Sequence, residues 1–214
     1  MPRLNIEGQT LRLLPQKAML WEETNTLILA DLHLGKASHF RREGINISPG
    51  CGEKDLQVLK ALLESHKPTE VLFLGDLFHS SLNKEWDIFC EYLHDFPEIK
   101  FRLLKGNHDI LPTCSYIDAG LEVIQGLLTK GPFLFSHQPE KGATGSVNIC
   151  GHIHPGVNLQ GLAHQSLQLP CFYFENRTLF LPAFGNLTGL YIMKPTKKTQ
   201  VYVVTGEKII SVEF

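Results

Sequence analysis

The chain has 214 residues, 43% of them hydrophobic and 20% charged, with a formal net charge of -2. This length and apolar content suit a single α/β domain over residues 1–214 with a sizeable core. The balance of charge excludes a basic nucleic-acid binder of the histone or repressor kind, so any contact with nucleic acid must come from a local patch.

Residues 1–10 hold no apolar segment of signal-peptide length, and nowhere is there a run of about 20 apolar residues to span a bilayer. The expectation is a soluble, cytoplasmic protein. The first predicted strand, residues 27–30, is an apolar Leu-Ile-Leu-Ala run that ends in Asp31-Leu32-His33. An Asp and a His two apart at a strand end can turn to the same side and bite one ion. A segment with three cations follows at once: Lys36, Arg41 and Arg42. Such cations beside a ligand pair suit phosphate contact, since a guanidinium can hold a phosphate in bidentate fashion. Residues 44–52, with two isolated glycines and Pro49, predict a surface loop.

Residues 53–65 place Leu56, Leu59, Ala61, Leu62 and Leu63 at helical spacing, and a strand over 71–74 then leads into Gly75-Asp76-Leu77-Phe78-His79. Gly75 lets the backbone come close to an ion or its neighbour. Asp76 has two oxygens, so it can bridge two ions about 3.5 to 4 Å apart. A second helix is predicted over 85–93, with Trp86, Phe89 and Leu93 on one face. The strand over 101–104 delivers Gly106-Asn107-His108-Asp109, where Asn107 offers a ligand oxygen without further charge. A strand over 133–135 precedes Ser136-His137, and one over 147–150 precedes Gly151-His152-Ile153-His154. The last fragment is the strongest, because two histidines two apart after a strand and a glycine can serve neighbouring ions.

Alternation of strand and helix predicts a largely parallel sheet covered by helices, with the ligands gathered along its carboxyl edge. After His154 the texture changes to short apolar runs at 172–174, 178–181, 190–193, 201–204 and 209–212, separated by turn residues. These predict antiparallel strands in a second sheet packed on the first, with residues 194–199 a polar surface loop. Five cysteines, Cys51, Cys90, Cys114, Cys150 and Cys171, are odd in number, widely spaced and without a Cys-x-x-Cys pair. They are expected to be reduced and buried as small apolar side chains.

Seven candidate ligands in one fixed order, on carboxylate, amide and imidazole groups, suit a pair of metal ions that activates water against phosphorus esters. The order resembles the signature of the calcineurin-like metallophosphoesterase superfamily: Asp-x-His, Gly-Asp-x-x, Gly-Asn-His-Asp/Glu, His, Gly-His-x-His. The match runs from Asp31 to His154. What the resemblance implies is a four-layer α/β/β/α sandwich of two mixed β-sheets flanked by helices, with a dinuclear site between sheet edge and loops. By position, one metal would take Asp31, His33 and His154, the other Asn107, His137 and His152, and Asp76 would bridge them.

His108 would then stabilise the transition state or protonate the leaving oxygen, and Asp109 would either orient it or cap the loop. Gly75 to His79 is similar to the form seen in double-strand-break repair nucleases of the superfamily, where the histidine helps place the substrate phosphate. A structural role for His79 is the other reading. The stretch around Lys36, with Ser136-His137-Gln138-Pro139 and Leu181-Pro182-Ala183-Phe184-Gly185, resembles a narrower bacterial group, the metallophosphoesterases associated with DNA ligase and a helicase in DNA-damage response. That likeness implies a phosphodiester substrate in DNA or RNA and a DNA ligase or helicase partner. It also implies two divalent ions per chain, Mn the working choice, with Fe or Zn compatible with the same ligands. Two other functions share the motif: a phosphoesterase of nucleotides or nucleotide-sugar compounds, and a non-catalytic scaffold of the retromer-subunit kind. A scaffold has no need of His108.

Overall fold

The computed structural model describes residues 1–46, 51–140, 145–161 and 165–214, apart from the side chains of His39, Arg42 and Cys51. The chain opens with an antiparallel meander, β1 (Arg3–Ile6), β2 (Gln9–Leu14), β3 (Ala18–Trp21) and β4 (Thr26–Leu29). Between β1 and β2 the turn is Glu7-Gly8, both at positive φ, the two-residue hairpin geometry that matches strand twist. From β4 the direction of pairing changes. β5 (Glu70–Leu74), β6 (Lys100–Leu104) and β7 (Leu121–Ile124) extend the same sheet in parallel, so its spatial order is its chain order.

The described residues form four helices, α1 (Lys36–Arg42), α2 (Cys51–His66), α3 (Lys84–His94) and α4 (Thr113–Asp118). The predicted helices over 53–65 and 85–93 are α2 and α3, each slightly longer than expected. α3 starts where Asn83 accepts the N–H of Glu85 at 2.9 Å, a polar cap on the first turn. Leu56, Leu59, Leu62 and Leu63 of α2, Trp86, Phe89 and Leu93 of α3 and Tyr116 of α4 close over Leu27, Leu29, Val71, Phe73 and Leu103. This is the helix-covered face of the first sheet.

The second sheet contains β8 (Leu128–Lys130), β9 (Phe133–Ser136), β10 (Val147–Cys150), β11 (Pro155–Gln160), β12 (Ser166–Glu175), β13 (Thr178–Phe180), β14 (Tyr191–Ile192), β15 (Gln200–Val204) and β16 (Ile209–Val212). Its order is β14-β11-β12-β13-β10-β9-β8, with β15 and then β16 attached to β12. The opposite face of the first sheet packs on it through a core that joins Trp21, Ile28, Leu72 and Leu104 to Phe133, Phe135, Ile149, Phe172 and Leu181. Trp21 meets Phe133 edge-on at 5.0 Å between ring centroids. Lys130 crosses between sheets to Glu70 at 2.7 Å and lies over the Trp21 ring. Alternation along β12 sends Phe172 inward and Cys171 and Tyr173 outward, where they pack with Val157, Val201 and Val203. Among the described residues no helix covers that outer face.

Two expectations need correcting. The five ligand-bearing strands do not lie in one sheet: β4, β5 and β6 belong to the first, whereas β9 and β10 belong to the second. The cause is the short link between Ile124 and Leu128. A parallel crossover in the same sheet needs about a dozen residues, so the chain passes to the other sheet and turns back as the β8–β9 hairpin. Nor is the tail wholly antiparallel, since β13 pairs parallel with β10 and β14 with β11. Cysteine burial also differs from expectation. Cys150 and Cys171 are buried, but Cys90 is half-buried and Cys114 exposed, and all four are free; the side chain of Cys51 is outside the described residues. Part of the loop expected over 44–52, residues 47–50, also lies outside them, and α2 begins already at Cys51. Residues 194–199 form the expected loop. No helix is long and apolar enough to cross a membrane among the described residues.

Replacing Trp21 with Ala should cost about 3–5 kcal/mol, the range for deleting a buried aromatic side chain. Urea unfolding of the variant measures this, and a loss under about 1 kcal/mol would mean that the aromatic contacts do not hold the sheets together.

Candidate metal centre

The carboxyl ends of β4, β5, β6, β9 and β10 meet at one edge of the sandwich. Beyond β4 and β5 the backbones keep pairing: Asp31 N–H donates to the Gly75 carbonyl at 3.1 Å, His33 N–H to the Asp76 carbonyl at 2.9 Å and Leu34 N–H to the Leu77 carbonyl at 2.9 Å. The approach is so close that a side chain at Gly75 would run into the His137 ring and the Gly106 backbone, and one at Gly106 into Asp76. A side chain at Gly151 would strike Ala30 and Asp31. Asp31, His33, Asp76, His152 and His154 all take positive φ, between 49 and 66 degrees within the left-handed region. For residues with a β-carbon this costs on the order of 1 kcal/mol each. The strain aims the five side chains into one space.

Two groups result. Asp31, His33 and His154 form one and Asp76, His137 and His152 the other, the candidate ligand atoms of each lying within 4.8 Å of one another. In the first, His33 Nε2 is 3.4 Å from His154 Nε2, and His154 Nε2 is 3.5 Å from Asp31 Oδ1. In the second, His137 Nε2 is 3.1 Å from His152 Nδ1, 2.9 Å from Asn107 Oδ1 and 3.3 Å from Asp76 Oδ1. Asp76 faces both groups, since its Oδ2 lies 3.8 Å from His33 Nε2. All seven sequence-predicted ligands therefore converge.

Divalent cations fit this donor set. Metal–nitrogen bonds of about 2.1 Å put ligand atoms of one ion roughly 3.0–3.4 Å apart, which the nitrogen pairs at 3.1 and 3.4 Å match. Asp31 Oδ1 is buried without a hydrogen-bond partner, and a buried carboxylate oxygen needs a cation or a donor. His137 Nδ1–H donates to the Leu74 carbonyl at 2.9 Å, which leaves the Nε2 lone pair for a metal. Outer partners fix the carboxylates in turn: His152 N–H donates to Asp31 Oδ2 and His108 N–H to Asp76 Oδ1, both at 2.8 Å. Burial raises the Asp76 carboxyl, but bonds from His137 and His108 outweigh it and hold it down at about 2.

The His108 ring stacks on His79 at 4.1 Å between centroids, and both approach the His33 ring, at 5.6 and 5.3 Å. His79 Nδ1 is 3.3 Å from His33 Nδ1. Asp109 is buried and ties two ligand loops together: Oδ1 accepts the N–H groups of Leu77 at 2.8 Å and Phe78 at 3.1 Å, and Oδ2 accepts that of Gly106 at 2.8 Å. Burial pushes its carboxyl up to about 6, against the pull of those donors. Of its two expected roles the hydrogen bonds describe the loop cap. Lys36 is half-buried; burial lowers its pKa, and the charges of Asp76 and Asp31 oppose this, which places it beside the centre. Arg41 turns elsewhere, to Ser38 Oγ at 3.0 Å and Glu85 Oε1 at 3.7 Å. The side chain of Arg42 lies outside the described residues.

Sequence reasoning missed a supporting layer. Glu85, on the buried face of α3, accepts Gly35 N–H at 2.9 Å and Ser38 O–H at 2.7 Å, fixing the segment after His33. Asp55 of α2 binds Asn186, which also takes the Lys17 ammonium at 3.1 Å. This anchors the loop whose Phe184 and Gly185 N–H groups pair with the carbonyls of Ala30 and Asp31. Of this layer only the Leu181 to Gly185 segment carries a signal in the sequence, and nothing local marks Asp55 or Glu85 apart from an ordinary helical carboxylate.

A strand-edge centre of carboxylate, amide and imidazole ligands across two packed sheets defines a metal-dependent phosphoesterase. The model of the calcineurin-like phosphoesterase family matches residues 24–170, and the chain belongs to that family. Among solved structures, a nuclease MPE from Pseudomonas putida is 28% identical with a TM-score of 0.85, the match covering 99% of each chain. A protein of unknown function, AQ665, from Aquifex aeolicus is 18% identical over 74% of this chain and 88% of its own, with a TM-score of 0.43. The phosphoesterase Yfce from E. coli is 13% identical over 88% and 98%, with a TM-score of 0.46. No curated protein matches the sequence significantly.

Asp109→Ala should lower stability by about 2 kcal/mol or more, because three backbone donors lose their acceptor. Thermal unfolding of the metal-free variant reads this directly, and an unchanged midpoint would show that water replaces the carboxylate.

Proposed function

We propose that the protein is a dinuclear phosphodiesterase that hydrolyses DNA, a nuclease of the repair-associated kind, working with two manganese ions. The observation that carries the dinuclear reading is Asp76, whose two oxygens face separate ligand groups from between them. Asp31, His33 and His154 would hold one ion, Asn107, His137 and His152 the other, with Asp76 shared. When bound, the ions would supply an activated water and offset charge on the phosphate oxygens.

The remaining chemistry belongs to the chain. His108 is the proton donor to the leaving oxygen, its backbone fixed by Asp76 and its ring by the stack on His79. With His33 Nε2 turned to its ligand group, His33 Nδ1 carries the proton and donates to His79 Nδ1. His79 is thereby set as an Nε2–H donor suited to a phosphate oxygen. Lys36 adds positive charge at the same rim. Likeness to the Pseudomonas putida nuclease over the whole chain supports a polynucleotide substrate. With a net charge of -2 the protein has little non-specific affinity of its own for DNA. A DNA ligase or helicase partner supplying that affinity is part of the proposal.

Manganese-loaded protein should cleave single-stranded or nicked DNA and a chromogenic diester in preference to the monoester, and His108→Ala should retain both ions while losing about 10²-fold or more in turnover. Activity confined to the monoester would replace the nuclease with a small-molecule phosphatase. Asp76→Asn should lose metal; two ions per chain in that variant, counted by elemental analysis, would remove the bridge.

A further inference from the structure

A groove of about 380 Å³ opens on the Asn107 and His137 side of the centre, lined further by Lys105, Leu127, Gln138 and Glu140. The histidines proposed to act on the leaving oxygen and phosphate stand against His33, in the other ligand group. Resting on the phosphodiesterase reading, we infer that this groove binds the nucleoside that stays esterified to phosphorus and favours a base carrying an exocyclic amine.

The wall is built rather than incidental. Asn148, buried at 1% exposure, donates to the Leu134 carbonyl at 2.9 Å and to Ser136 Oγ at 2.8 Å, while its Oδ1 accepts Glu140 N–H at 3.0 Å. One buried amide thus sets Ser136, beside His137, and Glu140, both in the lining of the groove. In the same lining Leu127 follows Gly126, which takes φ of 82 degrees, and is 48% exposed, an apolar surface of the kind a base or sugar covers.

Hydrogen-bonding groups decide which base is favoured. The Lys105 ammonium is engaged by the Leu111 carbonyl at 3.1 Å and lies over the Tyr116 ring at 5.4 Å, so it has partners of its own within the wall. Glu140, also in the lining, supplies a carboxylate that accepts hydrogen bonds from amino groups. Gln138 adds an amide that both donates and accepts. A carboxylate accepting from cytosine N4 is an established mode of base reading, and uracil offers a carbonyl oxygen at the same place.

The test compares kcat/KM on three p-nitrophenyl phosphodiesters of one leaving group: the methyl ester, the 5′-deoxycytidine ester and the 5′-deoxyuridine ester. The expected order is deoxycytidine above deoxyuridine by about tenfold, with the methyl ester lowest. Glu140→Gln should bring the ratio between the two nucleosides close to one. Leu127→Ser should reduce both nucleoside esters relative to the methyl ester by about fivefold. Ratios within each preparation cancel any loss of folded protein. Equal rates on all three esters, or Glu140→Gln lowering all three alike, would overturn the groove while leaving a phosphodiesterase in place. Failure to cleave any diester, with the monoester p-nitrophenyl phosphate turned over, would instead overturn the phosphodiesterase reading beneath it.

Discussion

Everything at the site depends on how near the strand ends of two sheets can come. Seven candidate ligands at the ends of five strands reach a common space only because the residue before Asp76, Asn107 and His152 is in each case glycine, and in each case a β-carbon there would occupy an atom of a neighbouring strand end. Gly185 belongs to the same set, lying against the Leu32 carbonyl. The backbone approach comes first and the chemistry second. A site of this density could not be made by lengthening side chains, because longer side chains would carry more rotamers to freeze.

Close approach creates an electrostatic difficulty that the fold answers in layers. Asp31 and Asp76 are buried within a few ångströms of four imidazoles, and each carboxylate accepts a backbone N–H. Around them Asp109 and Glu85 are themselves buried and accept from donors of the loops after Asp76, Leu104 and His33, while buried Asp55 accepts from Asn186 on the loop that braces Asp31. These acids hold the loops in left-handed conformations that isolated chains would leave, and the metal site inherits its shape from them.

Much of this was legible in the sequence, for identifiable reasons. The strands before Asp31, Asp76, Asn107, His137 and His152 are short apolar runs, and the helices α2 and α3 show their period plainly in Leu56 to Leu63 and Trp86 to Leu93. The opening meander was not read, since Arg3 to Ile6 and Gln9 to Leu14 alternate weakly and hinge on a Glu-Gly turn. The assignment of β9 and β10 to the first sheet failed because periodicity reports that a strand exists and not which neighbour it takes. Nor does the sequence show that the Arg41 guanidinium, near a ligand pair along the chain, also has Glu85 within 3.7 Å in space.

One consequence of the split between sheets concerns when the enzyme becomes active. The first sheet and its loops bring Asp31, His33, Asp76 and Asn107, while the second brings His137, His152 and His154. A ribosome-bound chain that has folded only its first sheet holds both carboxylates and a single imidazole of the two clusters, too few to complete either one. The loop carrying Phe184 and Gly185, which braces Asp31, is made later still. Hydrolytic capacity is therefore withheld until the sheets have docked, so nascent or unravelled molecules are silent toward phosphate esters in the cell around them.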